Sequence, residues 1–186
     1  MLNHELTPLH RSWLPGVCVA LWLLCMVFAF WWFEYRHWQT FNEQNVIFNG
    51  AELSLLQQRL IQKNQPQNMG LQVVHFTDDA CQCSRYSQSH IKRLQPVFES
   101  VTQITLSPKH PSMQGISIPA SPSVAIWDEH GELAYFGPYS SGAICGEGND
   151  FVKPVINQLK QQSNPRWVNM IGIGCYCPWK EGKHNA

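Results

Sequence analysis

The sequence has no excess of charge of either sign and no cluster of basic residues. Thirteen Lys and Arg residues balance thirteen Asp and Glu residues over 186 positions. Nucleic-acid-binding proteins carry a basic patch that neutralises phosphates, so this class of partner is disfavoured. No internal repeat or low-complexity tract occurs either. The length allows one domain of ordinary size plus an appendage.

Residues 13–33 contain no charged side chain at all. A run of about twenty apolar residues spans a bilayer as a helix, and Trp13, Trp31 and Trp32 fit the aromatic belts of the two interfaces. No small-residue cleavage site follows the run, which favours an uncleaved anchor over a signal peptide. We therefore predict a transmembrane helix at 13–33, with the lipid bilayer as a partner.

The flanking charges, Arg11 before the run and Arg36 after it, barely decide the orientation of this helix. A short N-terminal tail followed by a long folded domain usually leaves that domain outside the cytoplasm. Seven cysteines agree with an oxidising compartment. The prediction is a single-pass protein of the cytoplasmic (inner) membrane, with residues 1–12 as a cytoplasmic tail and the soluble domain in the periplasm.

The remaining chain divides by composition into three segments. Residues 34–48 are polar and aromatic and are predicted to form a tether, and residues 49–162 alternate helical and strand patterns typical of an α/β domain. Residues 163–186 form a C-terminal extension that contains Cys175 and Cys177.

A C-x-x-C motif is absent, and a C-x-C motif lies at a predicted strand-to-helix junction instead. Residues 71–76 form an apolar run with the length of a buried strand, Asp78 and Asp79 are residues that favour a helix start, and Cys81 and Cys83 follow. The positive end of a helix stabilises a thiolate, which is both the nucleophile and the metal ligand of cysteine chemistry. This placement indicates a chemical role for the two cysteines.

Two stretches resemble thioredoxins. The apolar strand that ends at Phe76 and leads to Cys81 at a helix start is similar to the thioredoxin active-site segment. The stretch 121–137 is similar to the segment that opens with a cis-proline, here Pro122, and continues as a β-hairpin. The resemblance implies a thioredoxin-like α/β fold, with a central mixed sheet and flanking helices. The whole chain also resembles an uncharacterised bacterial family of single-pass membrane-anchored thioredoxin-like proteins.

The sequence departs from thioredoxins at several positions. Ser84 stands where the second thioredoxin cysteine would be, and Ala80 replaces the tryptophan before the motif. A Cys81–Cys83 disulfide would be a strained ring because residues two apart on a helix do not face each other. His75 stands where thioredoxins carry a buried carboxylate that moves the thiol proton. An imidazole can do the same work, and the alternative is a core histidine bonded to a backbone carbonyl.

Five cysteines lie outside the apolar run, and we predict that they meet at one site. They are Cys81, Cys83, Cys145, Cys175 and Cys177. In the resembling fold the last helix runs away from the active site for about 18 Å at 1.5 Å per residue. An extended chain over residues 164–174 reaches up to about 36 Å at roughly 3.3 Å per residue. The C-terminal extension is therefore long enough to return to the active-site end.

Three functions fit such a cluster. The main prediction is a thiol–disulfide oxidoreductase without a cofactor that acts on protein thiols or disulfides, in which Cys81 is the nucleophile and Cys83, Cys145 or a tail cysteine resolves the mixed disulfide. By analogy, Pro122 would shape its substrate groove. The second is a Zn²⁺ or Cu⁺ site formed by thiolates, with Cys81, Cys83, Cys175 and Cys177 as ligands. The third is a non-catalytic binding domain whose disulfides hold the C-terminus to the core.

Overall fold

The computed structural model describes residues 13–35, 39–64, 70–142 and 148–180. The chain divides into two compact units, Met1–His37 and Trp38–Ala186. The first unit contains helix α1 (Leu14–Tyr35), and the second contains all the other helices and strands of the described residues.

Helix α1 is long and apolar enough to cross a membrane. Its stretch Leu14–Phe33 has a mean hydropathy of 2.2, and none of that stretch is buried inside the protein. Pro15 falls in the first turn, where no intrahelical N–H bond is lost. Cys18 and Cys25 are exposed free cysteines on this helix. The prediction of an N-terminal helix of spanning length is thus confirmed.

The second unit is a mixed α/β fold built on a five-stranded sheet. Its elements are β1 (Gln39–Thr40), α2 (Gly50–Asn64), β2 (Gln72–Phe76), α3 (Gln82–Leu94), β3 (Thr102–Leu106), β4 (Ala120–Ser121), β5 (Ser123–Trp127), β6 (Leu133–Gly137), α4 (Val152–Lys160), β7 (Trp167–Val168), β8 (Ile173–Gly174) and β9 (Cys177–Pro178). The sheet has the strand order β3–β2–β5–β6–β7, in which β2 pairs parallel with β3, β6 pairs parallel with β7, and the other two pairs are antiparallel. The short strands β1, β4, β8 and β9 lie outside this sheet and form two further pairs.

The central strands β2, β5 and β6 are buried, and alternate residues of β2 and β5 enter different cores on the two faces of the sheet. In β2, Val74 and Phe76 pack in the cluster that includes the leucines of α2, whereas Val73 packs in the cluster formed with α3 and α4. Successive side chains of a strand point to opposite faces, so a strand covered on both sides reads as a continuous apolar run. The result is three layers, with α2 on one face of the sheet and α3 and α4 on the other.

Helix α2 begins where the sequence pattern places it. The side chain of Asn49 accepts a hydrogen bond from the N–H of Ala51 at 3.1 Å and donates to Glu52 at 3.3 Å. Asn49 thus acts as the N-cap of this helix, because its side chain satisfies one of the backbone donors of the first turn. Glu52 also accepts a bond from the N–H of Ser117 at 3.0 Å, which joins the helix start to the loop before β4.

The C-terminal extension contributes three strands to the second unit. Strand β7 extends the main sheet beside β6, β8 pairs with β1, and β9 pairs with β4. Part of the predicted tether belongs to the second unit. Phe41 is buried there and packs its ring on Tyr176 at a centroid distance of 5.4 Å. A single aromatic residue after two polar ones gives no periodic signal, so this burial was not readable from the sequence.

Replacing Gly137 with alanine is expected to destabilise the second unit by about 2 kcal/mol. Gly137 has φ = +153°, and an added Cβ would lie 2.7 Å from the carbonyl oxygen of Asn169 in the C-terminal extension. Strained backbone positions of this kind cost about 1–3 kcal/mol in residues with a side chain. Urea denaturation of the full chain measures the loss. The control is Gly70→Ala, where no atom of the described residues lies within 4 Å of the added atom and a change below about 1 kcal/mol is expected.

Candidate functional site

Cys81 and Cys83 lie at the start of α3. The N-cap residue of this helix is Cys81, and its side chain makes no capping hydrogen bond. Asp78 is not the helix cap that the sequence suggests, because it closes the preceding turn instead. Its side chain accepts a bond from the N–H of Ala80 at 2.9 Å, and its carbonyl accepts one from the N–H of Cys81. The residue at the positive end of the helix is therefore a cysteine.

The C-terminal extension brings two further cysteines to these two. Strand β9 pairs antiparallel with β4, so that Cys177 lies opposite Ser121. Cys177 forms a disulfide with Cys81, and Cys175 forms one with Cys83. The strained Cys81–Cys83 ring is thus not the bond that forms. Four of the five cysteines predicted to meet are brought together, whereas Cys145 lies outside the described residues.

The four cysteine residues differ in their exposure to solvent. Cys81 is only 2 % exposed, and Cys83 and Cys175 are each 8 % exposed. Cys177 is partly exposed. An incoming thiolate attacks the sulfur it can reach, so Cys177 offers the accessible end of the Cys81–Cys177 disulfide.

Two aromatic residues of the extension hold its cysteines in place. The ring of Trp179 packs edge-on against Phe76 at a centroid distance of 6.0 Å, and its backbone N–H donates to the carbonyl of Pro119 at 3.2 Å. Tyr176 donates its hydroxyl to the carbonyl of Ser140 at 3.1 Å. Both side chains are buried. This packing does not involve sulfur, and it adds to the two disulfides in holding the tail cysteines near the helix start.

Pro122 follows the short strand against which β9 lies. The Ser121–Pro122 peptide bond is cis, as the sequence comparison led us to expect. The Sγ of Cys81 lies 3.7 Å from the carbonyl oxygen of Ser121. Ser121 is completely buried, and within the described part of the chain its hydroxyl has no hydrogen-bond partner. Buried hydroxyls are nearly always bonded, so this one is an exception.

His75 lies deep in the core on β2. Its Nδ1 is 2.5 Å from the hydroxyl of Tyr139, and its Nε2 is 3.3 Å from the side-chain oxygen of Gln103. Burial lowers the pKa of His75, and the hydrogen bond with Gln103 opposes part of that shift. Burial also raises the pKa of Tyr139 well above its usual value. Both ring nitrogens of His75 thus meet side chains and not the backbone carbonyl considered above, while its part in proton transfer stays a prediction.

Stability is expected to fall on acidification because of His75. Between its lowered folded pKa and its unfolded value of about 6.5, the unfolded chain binds more protons than the folded chain. The free energy of unfolding therefore rises with pH in this window, by up to about 1.4 kcal/mol per pH unit, and is constant above it. Urea denaturation at several pH values should show a smaller slope for His75→Gln. His130→Gln, at a largely exposed side chain, should leave the slope unchanged.

A small cleft beside the Cys83–Cys175 disulfide is lined by a histidine that the sequence pattern does not single out. The cleft has a volume of about 20 Å³ and is lined in part by Ser87, His90, Pro122 and Cys175. This is enough room for one water molecule. His90 is buried on α3, and its Nε2 lies 4.0 Å from the carboxylate of Asp150. The available signal was its position seven residues, or two helical turns, after Cys83, but that spacing fits an apolar helix face equally well.

Residues 46–179 match the model of a family described as a domain of unknown function, DUF6436. The chain belongs to this family. No curated protein matches it. The match includes both C-x-C motifs and Pro122, so the whole disulfide-linked site of this DUF6436 protein lies within the family's domain.

A second cleft of the described residues of this DUF6436 protein is larger than the one beside the cysteines and lies elsewhere. It has a volume of about 510 Å³ and is lined in part by Leu71, Asp128, His130 and Lys160. Leu71 precedes β2 and Cys81 follows it, so the cleft and the cysteines occupy opposite ends of the sheet. The carboxylate of Asp128 already accepts bonds from the backbone of His130 and the side chain of Asn164. Size alone therefore does not identify the functional site, and the chemistry favours the cysteines.

Proposed function

We propose that this DUF6436 protein is a membrane-anchored thiol–disulfide oxidoreductase with a thioredoxin-like fold. Its exchanging bond is Cys81–Cys177. The observation that carries the proposal is the position of this bond, with one sulfur at the start of α3 and the other on a partly exposed strand. A disulfide that only fastens a tail to a core does not require a helix N-terminus at one of its sulfur atoms.

The arrangement of elements supports the fold part of the proposal. The strand before the cysteines lies between a parallel neighbour and an antiparallel one, and the antiparallel strand begins directly after the cis-proline. A hairpin and a helix complete the order. This is the order of elements that the resemblance to thioredoxins implies.

The exchange runs in two balanced steps. A substrate thiolate attacks the Sγ of Cys177, the disulfide bond breaks, and Cys81 leaves as a thiolate stabilised by the start of α3. The second substrate thiol then attacks the mixed disulfide and releases Cys177. The substrate dithiol becomes a disulfide, and Cys81 and Cys177 become thiols that hold the two electrons and two protons. In the opposite direction the same steps reverse: Cys177 attacks a substrate disulfide, and the Cys81 thiolate then attacks Cys177 and releases the reduced substrate.

The setting of this chemistry is the periplasmic side of the inner membrane. Helix α1 would anchor the protein in the bilayer, and the oxidised state of all four described cysteines outside this helix fits an oxidising compartment. The substrates would be protein thiols or disulfides at the membrane surface.

The experiment is a redox titration of the full chain, purified in detergent, against glutathione buffers of defined ratio. Alkylation and mass spectrometry then report the state of each cysteine. We expect Cys81–Cys177 to equilibrate at a potential above about −300 mV, which separates exchanging disulfides from structural ones in secreted proteins. If Cys81–Cys177 stays oxidised at potentials below about −300 mV, it is a structural bond that only fastens the C-terminal extension to the core.

A thiolate metal site is the second candidate function. The Sγ atoms of Cys81, Cys83 and Cys177 all lie within 4.8 Å of one another, and Cys175 is bonded to Cys83. Four thiolates suit Zn²⁺ or Cu⁺ once both disulfides are reduced. Native mass spectrometry of the reduced full chain with added Zn²⁺ or Cu⁺ tests it. One ion bound per chain, lost when either C-x-C pair is changed to serine, would favour this function over the redox one.

A further inference from the structure

The two disulfides lie side by side. The sulfur of Cys83 is within 4.8 Å of the sulfur atoms of both Cys81 and Cys177, although it is bonded to Cys175. Disulfides exchange when a thiolate approaches a sulfur of another disulfide. A thiol formed at the first bond therefore arises next to the second one.

We propose that Cys83–Cys175 is a second redox unit, which exchanges with the first by attack of Cys177 on Cys83. This inference rests on the proposed function, because it requires that a substrate reduces Cys81–Cys177. It assigns a reaction to the Cys83–Cys175 disulfide, which would otherwise be a purely structural bond.

The internal step balances without a further reactant. Reduction by a dithiol leaves thiols on Cys81 and Cys177. The deprotonated sulfur of Cys177 forms a bond to the sulfur of Cys83, and the bond between Cys83 and Cys175 breaks. The electron pair leaves with Cys175, which takes up the proton that Cys177 lost. The centre still holds one disulfide and two thiols, but the thiols are now Cys81 and Cys175.

The geometry favours Cys177 over Cys81 as the attacking group. Cys81 and Cys83 are two residues apart at the start of one helix, where side chains do not face each other. Cys177 comes from a separate strand that β4 holds opposite Ser121. A Cys83–Cys177 bond therefore joins two elements that already lie together.

The rearranged centre has three properties that matter for the reaction. Cys81 remains a free thiol at the positive end of α3, where thiolates form most readily, and Cys177 is no longer free to bond with it. The leaving sulfur, Cys175, lines the cleft that also contains Ser87 and His90. The remaining Cys83–Cys177 disulfide can accept a second electron pair. The site thus takes up two pairs in sequence, and the first pair creates its nucleophile.

The test uses the wild-type full chain in detergent with less than one equivalent of dithiothreitol. After acid quenching and alkylation, cleavage by chymotrypsin after Tyr176 separates Cys175 from Cys177, and fragmentation of the other peptide distinguishes Cys81 from Cys83. We expect alkyl groups on Cys81 and Cys175 in most half-reduced molecules. Alkyl groups on Cys81 and Cys177 would overturn the proposal.

A second arm tests the exchange without any reductant. In Cys81→Ser, Cys177 is a free thiol and should attack Cys83, which leaves the free thiol on Cys175. A large share of molecules should then carry the alkyl group on Cys175. In the matched variant Cys177→Ser, Cys175 should stay bonded to Cys83. A Cys81→Ser protein alkylated only at Cys177 would contradict the relay. Resistance of wild-type Cys81–Cys177 to dithiothreitol would instead count against the proposed function, while this arm would still decide the exchange.

Discussion

Replacing Cys81 with serine is expected to slow thiol–disulfide exchange by up to about 30-fold, the factor between a fully ionised thiol and an ordinary one at pH 7. The change removes the sulfur at the start of α3 and, with it, the Cys81–Cys177 bond. An ordinary thiol with a pKa of about 8.5 is only about 3 % ionised at pH 7, and helix N-termini raise that fraction. The three remaining cysteines of the site do not occupy the N-cap of α3. The rate is measured with a fluorescent dithiol peptide and the full chain in detergent.

Two control variants separate chemistry from folding. Cys177→Ser breaks the same disulfide but keeps Cys81, whose thiolate should then attack a disulfide substrate itself and accumulate a mixed disulfide on Cys81. The double variant Cys18→Ser/Cys25→Ser changes only the free cysteines of α1 and should keep the full rate. A Cys81→Ser protein as fast as the wild type would assign the reaction to another cysteine.

Much of the fold was predictable because its elements carry a strong pattern. Leu53, Leu56 and Leu60 lie at helical spacing and are all buried against the sheet in α2. The apolar run 71–76 predicts a strand buried on both faces, and Val73 and Val74 do enter opposite cores. Pro122 was predictable as a cis-proline only through its resemblance to thioredoxins, since no local pattern fixes the isomer.

The pairing of the cysteines was not predictable, because it depends on a strand of two residues. Two C-x-C motifs can be joined in either of two directions. The antiparallel register of β9 on β4 places Cys177 opposite Ser121, and the pairs with Cys81 and Cys83 follow this register. Strands as short as β9 are set by tertiary contacts, here the burial of Trp179, and leave no period in the sequence.

His90 illustrates a second limit of the sequence. It recurs with Leu94 at the spacing of an apolar helix face, and both are indeed buried. Its relation to Asp150 and Cys175 depends on how α3 meets the loop before α4 and the C-terminal extension. Long-range contacts of this kind appear only when the chain has folded.

Removing both disulfides is expected to cost far more stability than the two single removals suggest. The bonds join residues 96 and 92 positions apart, so they close nearly the same loop. A first cross-link of that span contributes about 4–5 kcal/mol through the entropy of the unfolded chain. The second closes only a ring of a few residues and adds about 2 kcal/mol. Each single removal should thus cost about 2 kcal/mol, and removal of both about 6–7 kcal/mol.

A double-mutant cycle measures this coupling. The variants are Cys81→Ala/Cys177→Ala, Cys83→Ala/Cys175→Ala and the combination of all four, each compared with the wild type by urea denaturation of the full chain. The combined loss should exceed the sum of the two others by roughly 2 kcal/mol. With domain stabilities of about 5–15 kcal/mol, the fourfold variant would lie close to unfolding. Strictly additive losses would mean that the bonds constrain different parts of the unfolded chain, which would contradict the shared loop.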